Sequence, residues 1–446
     1  MIINKPSKSA TSFFTLLTVF SISQIFAGNS QVLDSSVVLW YEFEEYTFKL
    51  KELKQTLLFK EVPRTVPYNE KAQVEYANMI KNDSLLILNS FEPFYKPIEE
   101  INWKENPYNN DTWQLYYENL FFVSTLNHAY FITKEKQYHN KAKLYINNYI
   151  SFHNSDAIST SKFSWYDHSC AFRVLHILQT IGNELTSEEP DLNFIQSAFN
   201  HISLNIKFMV NPKNYRTHNH SLMMDRTLLY IANIFASKPD LSNHIRSLAS
   251  NRALGNFDKI IDKSGMAKEH STTYHIFNHN LYKNIFKLIG NNETATDKLL
   301  KYLKMNDVLL QLVKPDLTFP LWGDSQIEIL NPKIIADFGD DARLSATYEN
   351  YDLKSNVNFE NNIATLRTNT KDKSYLALFA NYNSVVHKHH DDLSIVFQTF
   401  GTDIFTDQGY YGYDKKYRPQ LTSVFAHNTV AINNEDYWSC YICWDT

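Results

Sequence analysis

The sequence predicts an α+β chain of two unlike parts, a long helical half followed by a smaller antiparallel β-domain. Three observations carry this expectation. Apolar residues recur at helical spacing from about Asn110 to about Asn306. After about Leu344 the texture changes to short β-prone segments separated by Asn, Asp, Gly and Lys clusters. The composition is that of a folded chain: 446 residues, 43% hydrophobic and 20% charged, are enough for two sizeable cores and argue against wholesale disorder.

The helical half is justified element by element. Leu115, Phe122, Leu126, Ala129 and Tyr130 fall on one face, as do Ala171, Val174, Leu175 and Leu178. Further helices are expected over Lys141–Ser151, Leu192–Val210, Leu222–Ala236, Ser242–Ile261, Tyr274–Ile289 and Asp297–Val313. Thr186 with Glu189 reads as a capping-box start, with Pro190 breaking what precedes it. Successive amphipathic helices imply stacked helical hairpins, and periodicity leaves open whether these form a bundle, a solenoid or a ring. In the β half, strands are expected over Ile363–Arg367, Tyr375–Ala380, Leu393–Phe400, Asp403–Thr406 and Thr429–Ile432. The sequence stops at Thr446, a few residues after the last of these, so the β-domain is expected to be incomplete.

The N-terminus has the pattern of a secretory signal. Lys5 and Lys8 precede an apolar run from Phe13 that weakens toward Phe26, and Ala27 offers a small residue for cleavage. Ser21, Ser23 and Gln24 interrupt the run, which argues against a permanent membrane span. The expectation is a signal peptide over residues 1–27 and a periplasmic or secreted protein with no membrane span in the mature chain. A net charge of −5 excludes the global basic field of a nucleic-acid binder, so an anionic ligand needs a local cleft. Of the three cysteines, Cys440 and Cys443 have CxxC spacing, but no second pair accompanies them to build a zinc or redox motif.

The densest polar cluster is His387-Lys388-His389-His390-Asp391-Asp392, directly before the strand from Leu393. If that strand extends backwards, His387, His389 and Asp391 share a face, and two imidazoles with a carboxylate suit zinc. Asp407 and His427 lie at the edges of the next expected strands, within reach of His389 if those strands are neighbours. In the helical half, Asn219 and His220 open a helix, where amide and imidazole donors suit a carboxylate. Tyr274 follows Glu269-His270-Ser271 and is a candidate acid or base. Arg173, Arg216, Lys388, Lys415, Lys416 and Arg418 are candidates for a local anion cleft.

These segments together resemble the heparinase II/III-like polysaccharide lyases. His387-x-His389-x-Asp391-x-Leu393-Ser394 resembles that family's HxHxDxLS signature, and Asp407-Gln408-Gly409 its DPG step with Gln for Pro. His427-Asn428-Thr429-Val430 matches its HNTV segment, and Glu269-His270-Ser271-x-x-Tyr274-His275 resembles its ExSxxYH segment. Asn219-His220, the Trp165-to-Arg173 helix and Pro320-Leu321-Trp322-Gly323-Asp324-Ser325 also fall in family order. The resemblance implies an incomplete (α/α) toroid over residues 28–345 and an antiparallel β-sandwich over residues 346–446. It implies cleavage of a uronate-containing acidic polysaccharide by β-elimination. Asn219 and His220 would neutralise the uronate carboxylate, and Tyr274 would move the proton with His387 across the cleft. Arg173, His275 and Tyr417 would assist substrate binding. His389, Asp407 and His427 would hold Zn2+, ordering the wall that carries His387. The alternative is a non-catalytic, glycan-binding relative tied to assembly of a surface polysaccharide.

Overall fold

The computed structural model describes residues 36–41, 44–56, 62, 70–154, 161–290, 293–412 and 416–436. The signal segment and Cys440 and Cys443 lie outside them. In chain order the elements are β1 (Ser36–Tyr41), β2 (Glu44–Lys49), α1 (Leu50–Gln55), α2 (Glu70–Lys81), β3 (Ser84–Leu85), β4 (Phe94–Tyr95) and α3 (Asp111–Glu118). Then come α4 (Phe121–Thr133), α5 (Lys136–His153), α6 (Asp167–Glu184), α7 (Leu192–Val210), α8 (Asn219–Ile234), α9 (Pro239–Ile260), α10 (Thr272–Ile289) and α11 (Glu293–Leu312). Two short helices, α12 (Pro332–Asp337) and α13 (Ala342–Glu349), lead to β5 (Asn356–Asn358), β6 (Ile363–Arg367), β7 (Tyr375–Phe379), β8 (Ser394–Thr399), β9 (Thr402–Phe405) and α14 (Arg418–Leu421).

The helices form two layers. α4, α6, α8 and α10 pack side by side in chain order, and in the second layer α5 packs on α7 and α9 on α11. Each helix of the first layer also packs on the helix that follows it. This repetition of antiparallel hairpins is the double-layered arc of an (α/α) toroid. The hairpin β1–β2, which periodicity did not reveal, closes over α7: Gln196 pairs with both backbone groups of Val38. One apolar core runs through the layers, from Val37 to Met305. A second core joins α11 and the 319–338 segment to the inward residues of the sheet, among them Ile363, Tyr375, Phe379 and Val396.

The sheet is an antiparallel meander in the order β5-β6-β7-β8-β9. Along β8 buried and half-buried residues alternate, so one face meets the helical body. The structure corrects three expectations. The segment Thr429–Ile432 is not a strand: among the described residues its only backbone pairing is the isolated bridge from Ile432 to Glu435. It is held beside β8 instead by Asn428, whose amide donates to Ile395 O and Thr406 O. Thr186 and Glu189 do not cap a helix; Asp191 does, accepting from the Phe194 N–H, while the Thr186 hydroxyl donates to Asn183 O. Nor does β8 extend back to His387, because His387 and Leu393 both have left-handed backbone (φ 57° and 60°). His387, His389 and Asp391 therefore stand on a loop and not on one face of a strand.

Candidate active site and metal centre

The site begins with helix ends. α6, α8 and α10 run the same way in one layer, each separated from the next by an antiparallel partner, so their N-termini meet at one rim. Each start is built locally. His218 caps α8 by accepting from the His220 N–H, and Ser271 caps α10 by accepting from the Tyr274 N–H. At α6, Asp167 accepts from the His168 N–H. The positive dipole ends of three helices thus face one region, which favours an anion.

A cavity of about 500 Å³ opens there, and Asn219, His220, Tyr274 and His387 all line it, with Tyr116, Tyr166, His168, His218, Met223 and Phe277 among their neighbours. The Tyr274 and His387 rings stack with centroids 3.5 Å apart and 16° between planes. His387 is fixed from both sides: Nδ1 lies 2.9 Å from Asp324 Oδ2, and Nε2 lies 3.3 Å from Glu269 Oε2. Burial disfavours its charge, but the two carboxylates outweigh burial and raise its pKa. Glu269 also accepts from the amides of Asn219 and Asn278, 2.9 Å each, so it orients Asn219 as well. His220 Nδ1 lies 3.1 Å from Asp167 Oδ1.

Asp324 is the hub that ties the helical rim to the sheet. Its fully buried carboxylate meets His387 Nδ1, His389 Nε2 and both terminal nitrogens of Arg418, each at 2.9 Å. Burial opposes its ionisation, and these partners overcome burial to hold the carboxyl far below its usual range. Gly323 makes the approach possible: a Cβ there would lie 2.0 Å from His270 O and 2.8 Å from His387 O. His270, fully buried, accepts from the Asn383 and Ser384 N–H groups and so anchors the chain leading to His387. Asp324, Glu269 and Asp167 were not among the residues the sequence pointed to. A signal for the first two was present, since both stand inside segments that resemble the family's own.

His389, Asp407 and His427 converge, with one ligand atom from each lying within 4.8 Å of the others. His427 Nδ1 is 2.7 Å from Asp407 Oδ2. His389 Nδ1 and His427 Nε2 are buried without a hydrogen-bond partner. Two orphaned imidazole nitrogens beside a buried carboxylate fit a metal ion. Asp391 is not a fourth member; it accepts from Gly323 N and pairs with Lys388. A second group, Asp167, His218 and His220, is equally close together. There His218 Nδ1 accepts from the His220 N–H, which leaves Nε2 as the protonated nitrogen, so this group is a hydrogen-bonded cluster.

Three residues expected to assist substrate binding stand away from the cavity. Arg173 is fully buried, and its guanidinium binds Glu118 O, Ser164 O, Tyr149 Oη and Asn205 Oδ1; it braces α6 and does not face the cleft. His275 is also fully buried, held between Met305 O and Ala267 N, with burial pushing its pKa to about 4. Tyr417 stands on the exterior of the 416–421 turn and is not among the cavity's described lining. Helical spacing places Arg173 and His275 on a face but gives no depth, and depth decides their role.

A two-layered helical arc, an antiparallel sheet and a Tyr–His pair at their junction define the class. The chain belongs to the heparinase II/III family: "Heparinase II/III N-terminus" matches residues 40–338 and "Heparinase II/III-like, C-terminal" matches residues 363–439. No curated protein matches the sequence. Among solved structures, heparinase III is similar at 16% identity, with a TM-score of 0.72 over 87% of this chain and 67% of that one. The heparan sulfate lyase HepC of Pedobacter heparinus is similar at 18% identity, with a TM-score of 0.60 over 84% of this chain and 62% of that one. A lysine-methylated heparinase III gives 15% identity and a TM-score of 0.62, over 84% of this chain and 64% of that one. The likeness is one of fold, and the chain spans about three fifths to two thirds of these relatives' length.

Proposed function

We propose that this protein is an exported polysaccharide lyase that cleaves a uronate-containing acidic polysaccharide by β-elimination. The observation that carries the reading is the stacked Tyr274–His387 pair sharing one cavity with Asn219 and His220. The proton on C5 of a uronate is weakly acidic because it adjoins the carboxylate. Donors from Asn219 and His220, with the N-termini of α6, α8 and α10 behind them, stabilise the enolate-like charge that builds on that carboxylate. Tyr274 takes the C5 proton. The C4–O bond then breaks, a C4–C5 double bond forms, and the departing glycosidic oxygen regains a proton from the phenol. His387, held by Asp324 and Glu269, lies flat against the tyrosine ring. Its charged form, which both carboxylates favour, stabilises the Tyr274 phenolate that takes the C5 proton and is regenerated when the phenol gives that proton up.

His389, Asp407 and His427 are the residues that would hold zinc. The ion supplies positive charge and a cross-link between the 389, 407 and 427 segments, since elimination consumes no activated water. The test is product analysis over a panel of acidic polysaccharides. Elimination leaves an unsaturated uronate that absorbs in the ultraviolet, whereas hydrolysis leaves none. Tyr274→Phe removes the proton-carrying oxygen and is expected to abolish this signal while substrate binding persists. Saturated products, or a Tyr274→Phe protein with ordinary turnover, would overturn the assignment.

A further inference from the structure

None of the described residues that line the cavity is lysine or arginine. One helical turn beyond Met223, which does line it, α8 carries Arg226. Arg173, Arg252, Arg367 and Arg418 each bind carbonyl or carboxylate oxygens. Arg226 has no such partner among the described residues, and its Nε is buried and unbonded. Its guanidinium lies 5.3 Å over the Phe172 ring, and the ring of His168, which lines the cavity, stacks 4.6 Å from that same Phe172. The arginine therefore belongs to the same wall as the cavity.

Two further atoms of this wall are unsatisfied. His176 donates through Nδ1 to Asn119 O at 2.9 Å, which leaves its Nε2 as an acceptor; that Nε2 and Asn119 Oδ1 are both buried without a partner. Burial and, further, the charge of Arg226 push the His176 pKa down to about 4, so the ring stays neutral. A recessed cation without an anion is costly, and so are buried acceptors without donors. A ligand carboxylate that reaches the guanidinium answers the first cost, and a uronic-acid sugar carries one.

We propose that Arg226 forms a second anion-binding position beside the cavity, taking the carboxylate of a uronic-acid sugar adjoining the one at the cleavage position. The polymer orientation rests on the lyase reading; the binding itself does not. A planar guanidinium matches a carboxylate through paired donors, and stacking on the Phe172 face holds that plane in place.

The test is calorimetric binding of a glucuronate trisaccharide and of an uncharged glucose trisaccharide to the full-length protein. Arg226→Met keeps similar bulk and removes a recessed charge; Arg226→Lys keeps the charge and loses the fork. Arg226→Met should weaken the glucuronate trisaccharide by about tenfold or more, with Arg226→Lys intermediate and the glucose trisaccharide unaffected. Equal affinity of wild type and Arg226→Met overturns the proposal. So does a wild type that ignores the glucuronate trisaccharide, since the guanidinium then takes no carboxylate. The two readings fail separately: Arg226-dependent binding without any unsaturated product removes the lyase assignment alone. Unsaturated product formed by Arg226→Met at an unchanged KM removes the anion position alone.

Discussion

Asp324→Asn tests whether one carboxylate really joins the two halves of the site. Asp324 takes four charge-assisted contacts, from His387, His389 and twice from Arg418, on a side chain with no exposed surface. Asparagine keeps the size but offers one acceptor oxygen and turns an NH2 toward groups that themselves donate. Breaking a buried ion pair by neutralising one partner costs about 3–5 kcal/mol. The Arg418 side chain retains 25% exposure and recovers part of its hydration, so the lower end, about 3 kcal/mol, is expected. Loss of the group that orients a functional imidazole costs a further 10- to 100-fold, roughly, in activity. The assay pairs urea unfolding with ultraviolet product formation. A variant within about 0.5 kcal/mol of wild type and with unchanged turnover would behave like an ordinary surface substitution and refute the hub.

Glu184 gives a pH prediction. Burial opposes its ionisation, but His139, the Asp191 N–H and Lys143 outweigh burial and lower its pKa from 4.5 to about 2. A depressed carboxyl stabilises the fold above its unfolded pKa and loses that contribution as pH falls through the folded one. Glu184→Gln should therefore cost about 3 kcal/mol at pH 6 and progressively less toward pH 2, so urea midpoints of the two proteins that stay equally far apart would contradict it. Elemental analysis is expected to find one zinc per chain, absent from His389→Ala and retained by His387→Ala; a folded, metal-free wild type would count against the centre. Mass spectrometry of exported protein should show a mature N-terminus near Gly28, and an intact Met1 on cytosolic protein would defeat the signal-peptide reading.

The sequence by itself determined the elements whose patterns are local. The apolar spacing of Leu192–Val210 and the β-prone run Ile363–Arg367 returned the observed boundaries, because helical and strand periodicity depend on residues a few positions apart. The order of the motif segments likewise pointed to the family and to the four cavity residues Asn219, His220, Tyr274 and His387. Other features were illegible. The β1–β2 hairpin is defined by its packing on α7, 158 residues away at the Val38–Gln196 contact. Thr429–Ile432 looked like a strand, yet Asn428 satisfies the neighbouring carbonyls and no ladder forms. Only the tertiary structure decided that Arg173 and His275 are interior braces and that Asp324, Glu269 and Asp167 hold the imidazoles of His387, His389 and His220. It alone left Arg226 without an oxygen partner among the described residues. Burial and pairing are properties of what surrounds a side chain, and those surroundings come from segments far apart in sequence that meet only when the helical layers and the sheet close on one another.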